Sequence, residues 1–185
     1  MRATWKAPVK RRQAWRGRRV LSATQGERRR MTELFEGGCQ CGCCRYRIRG
    51  KSLSLFACHC HECQRQSGSA FGMALWIQPS EMTVLSGQLA AWTRETPTGQ
   101  RMRCEFCPQC GTRLFHRQEA RPDIVSIKPG TLDDTTSLAP VAHIWLDSAQ
   151  GWSHVSGECL QYPGNPENFS ALIARWDQRR EKDRQ

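Results

Sequence analysis

The eleven cysteines of this 185-residue chain are the residues whose types and spacing could do chemistry. Ten of them fall into three clusters, and Cys159 stands alone. The clusters are Cys39, Cys41, Cys43 and Cys44; Cys58, Cys60 and Cys63; and Cys104, Cys107 and Cys110. A secreted disulfide framework would need a signal peptide, yet the basic N-terminal segment is followed by no apolar stretch. Clustered CxC and CxxC pairs in a reducing compartment indicate metal ligands. We therefore expect a metal-binding cytoplasmic protein.

Two short cysteine pairs predict a closed metal site. They are Cys39-Gln40-Cys41 and Cys107-Pro108-Gln109-Cys110-Gly111. Together they supply four thiolates, which suits tetrahedral zinc at about 2.3 Å. Ligand softness alone does not exclude iron at such a site. Because four protein ligands leave no position for a substrate, we expect this ion to stabilise the fold.

A second cluster, Cys58-His59-Cys60-His61-Glu62-Cys63, offers three cysteines within six residues. A three-thiolate ion keeps one position open for water or substrate, which is typical of catalytic zinc. A thiol that binds there would lose its proton and become a nucleophile near neutral pH. Either histidine could complete the shell instead. Residues that alternate with ligands in an extended segment point away from the metal, so we favour them as proton carriers.

The net charge of +11 is concentrated at the N-terminus. Residues 1–30 hold eleven Lys or Arg against Glu27 alone, whereas the rest of the chain carries seventeen bases and sixteen acids. We therefore assign residues 1–31 to a disordered basic extension. A mis-set start, with Met31 as the true first residue, or an inert arm is favoured over a transit peptide or a nucleic-acid-binding tail.

Short alternating segments follow, broken by Gly and Pro, and they predict a mainly β domain over residues 32–165. The predicted strands are Arg45–Arg49, Leu53–Ala57, Phe71–Ile77, Met82–Ser86, Gln100–Phe106, Thr112–His116, Ile124–Ile127 and Val141–Trp145. Residues 166–185 are predicted to form an amphipathic helix and polar tail, capped by Asn165 with Pro166 at its first position. No apolar stretch approaches the roughly 20 residues that span a bilayer, so we expect no membrane partner.

Three cysteine motifs in a fixed order resemble one known family. They are Gly37-Gly38-Cys39-Gln40-Cys41-Gly42, Cys58-His59-Cys60-His61-Glu62-Cys63-Gln64-Arg65 and Phe106-Cys107-Pro108-Gln109-Cys110-Gly111-Thr112. This order is similar to that of the glutathione-dependent formaldehyde-activating enzyme and centromere protein V family. Ser67-Gly68 and Phe71, and later His143-Ile144-Trp145 and Tyr162-Pro163-Gly164-Asn165-Pro166, also fit the pattern. Cys43 and Cys44 depart from it, because small or aliphatic residues are usual there.

The resemblance implies a β-tent fold of small antiparallel sheets organised around two zinc ions. By motif position, Cys39, Cys41, Cys107 and Cys110 would hold the structural zinc. Cys58, Cys60 and Cys63 would hold the second zinc, with an open position. The implied activity is that of a carbon–sulfur lyase that joins glutathione to formaldehyde. We expect Arg65 or a nearby histidine to assist the alkoxide, and Ser67, Gly68 and Phe71 to line the pocket.

Two other functions stay open at this stage. Thiols add to formaldehyde without help, so the domain could be a zinc-stabilised glutathione-binding or carrier module without catalysis. A nucleic-acid-associated adaptor that uses the basic extension is less favoured, because the domain itself is nearly neutral. The true thiol and electrophile are left open by the sequence.

Overall fold

The computed structural model describes residues 33–96, 98–155 and 157–183. The basic extension predicted for residues 1–31 lies outside the described residues. Eleven strands and two α-helices are formed within those described ranges, so the prediction of a mainly β fold with a C-terminal helix is confirmed. The elements are β1 (Glu33–Gly38), β2 (Arg45–Gly50), β3 (Ser54–Cys58), α1 (His61–Ser67), β4 (Gly72–Ile77), β5 (Met82–Ser86), β6 (Ala90–Glu95), β7 (Arg101–Phe106), β8 (Arg113–Gln118), β9 (Val125–Ile127), β10 (Ala142–Ile144), β11 (Leu160–Gln161) and α2 (Ser170–Lys182).

All eight strands predicted from the sequence are present, with ends shifted by two residues at most. The sequence did not reveal β1, β6, β11 or the short helix α1. Strand β6 is mostly exposed at the edge of its sheet, so it lacks the alternation of apolar and polar residues that marks a half-buried strand. Strand β11 is two residues long, which is too short to carry a pattern.

The strands form two sheets. The smaller has the order β1-β2-β5, and the larger has the order β11-β10-β3-β4-β9-β8-β7-β6. All pairings are antiparallel except those of β10, which is parallel to both β3 and β11. The parallel pairing brings the segment after residue 141 beside the segment that carries the second cysteine cluster.

Both faces of the larger sheet are covered at its centre, where all five residues of β3 are buried. On one face, Leu55, Leu75 and Ile77 join the main apolar cluster with Tyr46 of the smaller sheet. The opposite face carries a second cluster around Phe56, Trp76, Ile144 and Leu172, and Cys58 belongs to it. Because side chains alternate along a strand, Cys58 shares its face with Phe56, and His59 does not.

Helix α2 begins at Ser170, four residues after the Pro166 that the sequence favoured as its first position. The N-cap residue is Phe169 and not Asn165, and the Asn168 side chain accepts a hydrogen bond from the Ser170 backbone amide at 3.1 Å in the turn directly before the helix. The buried Trp176 donates from Nε1 to Ser52 Oγ at 3.1 Å, which ties α2 to the turn before β3. None of the described helices has the length and apolar character to cross a bilayer.

Candidate metal centres and adjoining cavity

Four sulfurs from two distant parts of the chain meet in the first cluster. The Sγ atoms of Cys39, Cys41, Cys107 and Cys110 all lie within 4.8 Å of one another. The Cys39–Cys41 distance is 3.4 Å and the Cys41–Cys107 distance is 3.7 Å. A zinc tetrahedron with bonds of 2.3 Å has sulfur–sulfur edges of about 3.8 Å. The donor set and its spacing therefore fit one tetrahedral ion.

Two matching turns present these sulfurs. After Cys39, the Gly42 amide donates to the Cys39 carbonyl at 3.0 Å; after Cys107, the Gly111 amide donates to the Cys107 carbonyl at 2.9 Å. Both glycines have a positive φ, which is 80° for Gly42 and 71° for Gly111. A residue with a Cβ atom would be strained in this conformation, so glycine is favoured here. Each CxC or CxxC pair is thus folded back so that both of its sulfurs point to the same place.

Thr112 joins the two turns. Its hydroxyl accepts from the Gln40 amide at 3.1 Å, which leaves its own proton to donate to Cys110 Sγ at 3.1 Å. This donation lowers the pKa of Cys110 to about 5, because a hydrogen bond to the charged form favours that form. Cys110 is therefore ready to act as a thiolate ligand.

The two extra thiols beside this cluster lie in different environments. Cys44 is buried; its amide donates to Cys39 Sγ at 3.2 Å, and burial raises the pKa of its thiol to about 12. It behaves as a small neutral residue of the core. Cys43 is exposed, and its thiol donates to Gln109 Oε1 at 2.9 Å. The ligand set therefore contains neither of them.

Three sulfurs make up the second cluster. Cys58 ends β3, Cys60 precedes α1 and Cys63 lies in the first turn of that helix. Their Sγ atoms lie within 4.8 Å of one another, and no His, Asp or Glu among the described residues adds a fourth ligand atom to the group. Hydrogen bonds from the thiols of Cys58 and Cys63 hold the pKa of Cys60 well below its ordinary value. These three residues could hold an ion with one position open.

His59 and His61 do not join the sulfurs. His59 is fully buried on the other face of the sheet, where its Nε2 lies 2.9 Å from Nδ1 of His143 and its ring lies 5.2 Å from that of Phe71. Among the described atoms, its Nδ1 has no hydrogen-bond partner. His61 is exposed at the start of α1. The strand alternation that the sequence predicted thus directs His59 away from the metal position.

A cavity of about 200 Å³ opens beside the second cluster, on the same face of the larger sheet. Strands β3, β4, β9, β8, β7 and β6 all contribute residues to it. Its lining consists of Phe56, Cys58, Cys60, Cys63, Gly72, Met73, Ala74, Trp76, Arg94, Thr96, Thr98, Met102, His116, Gln118, Arg121, Ile124, Ser126, Lys128, Ile144, Trp145, Asn165 and Phe169. No Asp or Glu occurs in this lining, which holds three cationic side chains beside the three sulfurs.

His116 is the one imidazole in that lining. Burial, with the charges of Lys128 and Arg113 nearby, holds its pKa well below the ordinary value, so the ring is neutral at pH 7. Burial also lowers the pKa of Lys128. Both groups therefore present polar nitrogen atoms to a space that is partly closed to water.

Four side chains that the sequence assigned to the reaction or to its pocket lie elsewhere. Arg65 is 76% exposed and pairs with Glu62 at 2.9 Å, outside the cavity. The Ser67 hydroxyl donates to the carbonyl of Cys63 at 2.8 Å, and Gly68 ends α1 with φ of 61°. Phe71 packs against His59. None of the four belongs to the cavity lining, because α1 turns their segment to the outside of the three sulfurs.

The three cationic residues of the cavity and its histidine were missed by the sequence reasoning. Arg94, His116, Arg121 and Lys128 come from β6, from β8 and from the segments that flank β9. The sequence did contain one signal, which is a polar residue at every second position in two segments. These are His116 and Gln118 in the first segment and Ser126 and Lys128 in the second. Such a period marks one face of a sheet, but it does not tell which strands lie side by side.

Comparison with models of protein families shows to which family the chain belongs. A family model described as glutathione-dependent formaldehyde-activating enzyme matches residues 34–148, which include all seven cysteines of the two clusters. The chain belongs to this family. The formaldehyde-activating enzyme family is thus confirmed as the one that the three motifs resemble, and the match ends before β11 and α2.

The chain is similar to solved structures. One of them is a crystal structure of a Rhodobacter sphaeroides protein from a structural genomics programme, with 19% identity and a TM-score of 0.45. The similarity covers 69% of this chain and 98% of that chain. No curated relative matches.

Proposed function

We propose that this chain is a carbon–sulfur lyase that catalyses the addition of a thiol, glutathione in the first instance, to formaldehyde. The observation that carries the proposal is a cluster of three sulfurs to which no other described residue adds a fourth ligand, in the lining of a cavity with three cationic side chains. In the reaction, the thiol loses its proton, and a bond forms between its sulfur and the carbonyl carbon as the carbon–oxygen π bond opens. The carbonyl oxygen gains a proton, and the product is a hydroxymethyl thioether.

Two zinc ions fit the two groups of sulfurs. Cys39, Cys41, Cys107 and Cys110 would hold one and Cys58, Cys60 and Cys63 the other, because thiolates are soft ligands that suit zinc. When bound to three thiolates, zinc supplies an open position at which the pKa of a thiol falls and its sulfur becomes nucleophilic. Membership of the family supports zinc, glutathione and formaldehyde as the cofactor and substrates.

We assign the stabilisation of the carbonyl oxygen of formaldehyde to residues of the chain itself. The negative charge that develops there needs donors in a site of low dielectric constant. Arg113 Nη1 donates to His116 Nε2 at 3.2 Å, so the proton of the neutral imidazole resides on Nδ1. His116 Nδ1 and Lys128 Nζ are therefore the two donors of the lining that we assign to the carbonyl oxygen. This replaces the role that the sequence suggested for Arg65.

The free state of the cysteine thiols supports a proposal for the cellular location of the protein. All eleven cysteines are free, although several lie close enough to pair. A reducing compartment keeps such thiols available for metal binding. We therefore propose the cytoplasm as the location, which is also where a thiol substrate stays reduced.

Exchange spectroscopy by NMR tests the proposal. Zinc-loaded protein at micromolar concentration should accelerate the interconversion of formaldehyde plus glutathione with the hydroxymethyl adduct. Cys60→Ser should abolish the acceleration while the other zinc stays bound. Saturable glutathione binding without any acceleration would instead establish the carrier function and refute catalysis.

A further inference from the structure

One wall of the cavity contains an arginine whose charge is not neutralised by the protein. Arg121 lies in the loop between β8 and β9 and belongs to the cavity lining. No carboxylate of the described residues forms an ion pair with it. By contrast, Arg94 on the opposite side lies 3.9 Å from Glu62 and donates to the carbonyl of Glu95 at 3.2 Å. Arg94 thus has a carboxylate partner in Glu62, whereas Arg121 has none among the described residues.

Aromatic rings fix the orientation of Arg121. Its guanidinium carbon lies 4.7 Å from the centre of the Phe169 ring and 5.5 Å from that of Trp76. The two rings are themselves in contact, with centres 4.5 Å apart. Stacking on a ring face leaves the N–H groups at the edge of the guanidinium plane free for a planar anion. The arginine is thereby positioned before any ligand binds.

The backbone of the loop holds the same arrangement. The amide of Arg121 donates to the carbonyl of Gln118 at 3.0 Å, and the amide of Ile124 donates to the carbonyl of Arg121 at 3.2 Å. Phe169 comes from the segment before α2, beyond the residues that match the family model. Arg121 and Trp76 lie within the matched residues, so Phe169 is the part of this wall that the family match does not cover.

We propose that Arg121 binds a carboxylate of the thiol substrate, so that the cavity selects thiols that carry a carboxylate over neutral thiols. The inference rests on the proposed function, since it names the substrate class of the same site. Planar carboxylates accept two parallel N–H bonds from a guanidinium, whereas an ester cannot match that charge and geometry. The lining contains no acid to receive an ammonium group, so recognition depends on the carboxylate end of the substrate.

Lys128 adds to this selectivity at the other side of the cavity. Its side chain lies in the lining, and none of the ion pairs among the described residues includes it. With Arg121 it gives the cavity two positive charges that form no ion pair with a carboxylate of the described residues. Both charges attract an anionic ligand, but only Arg121 offers the planar pair of donors that distinguishes a carboxylate.

Calorimetry with unreactive ligands tests the inference. The ligands are S-methylglutathione and its diethyl ester, and the protein is the zinc-loaded full chain. Arg121→Met should weaken binding of the acid by about tenfold and leave binding of the diester unchanged. Arg121→Lys should give an intermediate loss, because it keeps the charge without the planar fork. Arg49→Met, at an exposed position of β2, is the matched control and should bind both ligands as the wild type does.

Two results would overturn the inference. Wild-type protein that binds S-methylglutathione no more tightly than its diethyl ester has no carboxylate selectivity. If Arg121→Met weakens the binding of both ligands equally, the side chain only supports the aromatic wall. Failure of the proposed function looks different. Preference for the acid with no acceleration of adduct formation would refute catalysis, and equal acceleration with glutathione and its diester would keep catalysis and reject this inference.

Discussion

Arg113 Nη1 lies 3.2 Å from His116 Nε2, and this contact decides which nitrogen of His116 carries the proton. A guanidinium only donates, so Nε2 must accept. The neutral ring then presents Nδ1–H as its remaining polar group. A change at Arg113, which is outside the cavity lining, should consequently alter the chemistry inside the cavity.

We expect His116→Ala to lower kcat by about 10²-fold while both zinc ions stay bound. Arg113→Met should lower kcat less, because the imidazole then divides its time between two tautomers. Nitrogen-15 NMR of the wild type should report a protonated Nδ1 and an unprotonated Nε2. A protonated Nε2 in the wild type, or full activity of His116→Ala, would contradict the assignment.

Lys128 should matter to the reaction through its charge. Replacement of Lys128 by Met keeps the length of the side chain and removes the ammonium group near the three sulfurs. We expect kcat/KM for glutathione and formaldehyde to fall by about 10²-fold, with no change in zinc content. Lys182→Met, on the exposed end of α2, serves as the control. Loss of zinc together with activity would mean that Lys128 supports the metal cluster instead.

The two groups of cysteines should respond differently to loss of one sulfur. Cys63→Ser should leave a folded protein with about one zinc instead of two, since three-ligand and four-ligand sites are held separately. Cys107→Ser should give an unfolded or insoluble chain, because the structural ion is part of the folding free energy. Metal analysis and circular dichroism measure both outcomes. Loss of both ions from Cys63→Ser would show that the sites depend on each other.

Gly37 is predicted to tolerate no side chain. A Cβ atom at this position would lie 2.5 Å from Tyr46 Oη and 2.5 Å from the carbonyl oxygen of Thr131. Gly37→Ala should therefore lower the free energy of unfolding by about 1–3 kcal/mol, as measured by urea denaturation. Gly130→Ala is the control, because a Cβ there meets nothing within 4 Å. Equal stability of the two variants would refute the steric argument.

The buried His116 should make stability depend on pH. Its pKa is held well below the ordinary value of 6.5, so below about pH 6.5 the unfolded chain binds a proton here and the folded chain does not. The stabilisation is thus present above that pH and is lost as the pH falls. The free energy of unfolding of each protein is compared between pH 7.5 and pH 5. Its decrease should be larger for the wild type than for His116→Gln, by up to about 2 kcal/mol. Parallel curves for the two proteins would contradict the buried neutral ring.

The division of the cysteines into four and three could be predicted from the sequence because metal ligands on short turns are local features. Cys39 and Cys41 are separated by one residue and Cys107 and Cys110 by two, and a glycine follows each pair. Most strands could be predicted as well, since alternation of apolar and polar residues reports on a half-buried surface. Alternation likewise indicated that His59 would face away from the sulfurs of Cys58 and Cys60.

The character of the cavity was decided by tertiary structure alone. Arg121 lies in the loop between β8 and β9, and Phe169 directly precedes α2. In the sequence, the first is an ordinary loop residue and the second an ordinary residue at the start of a helix. Their stacking depends on the order of strands in the larger sheet and on where α2 packs, and these long-range contacts leave no local pattern. For the same reason, the sequence did not show that Lys128 and His116 line the same cavity as the second cluster, or that this lining contains no acidic residue. Both follow from the placement of β9 between β4 and β8.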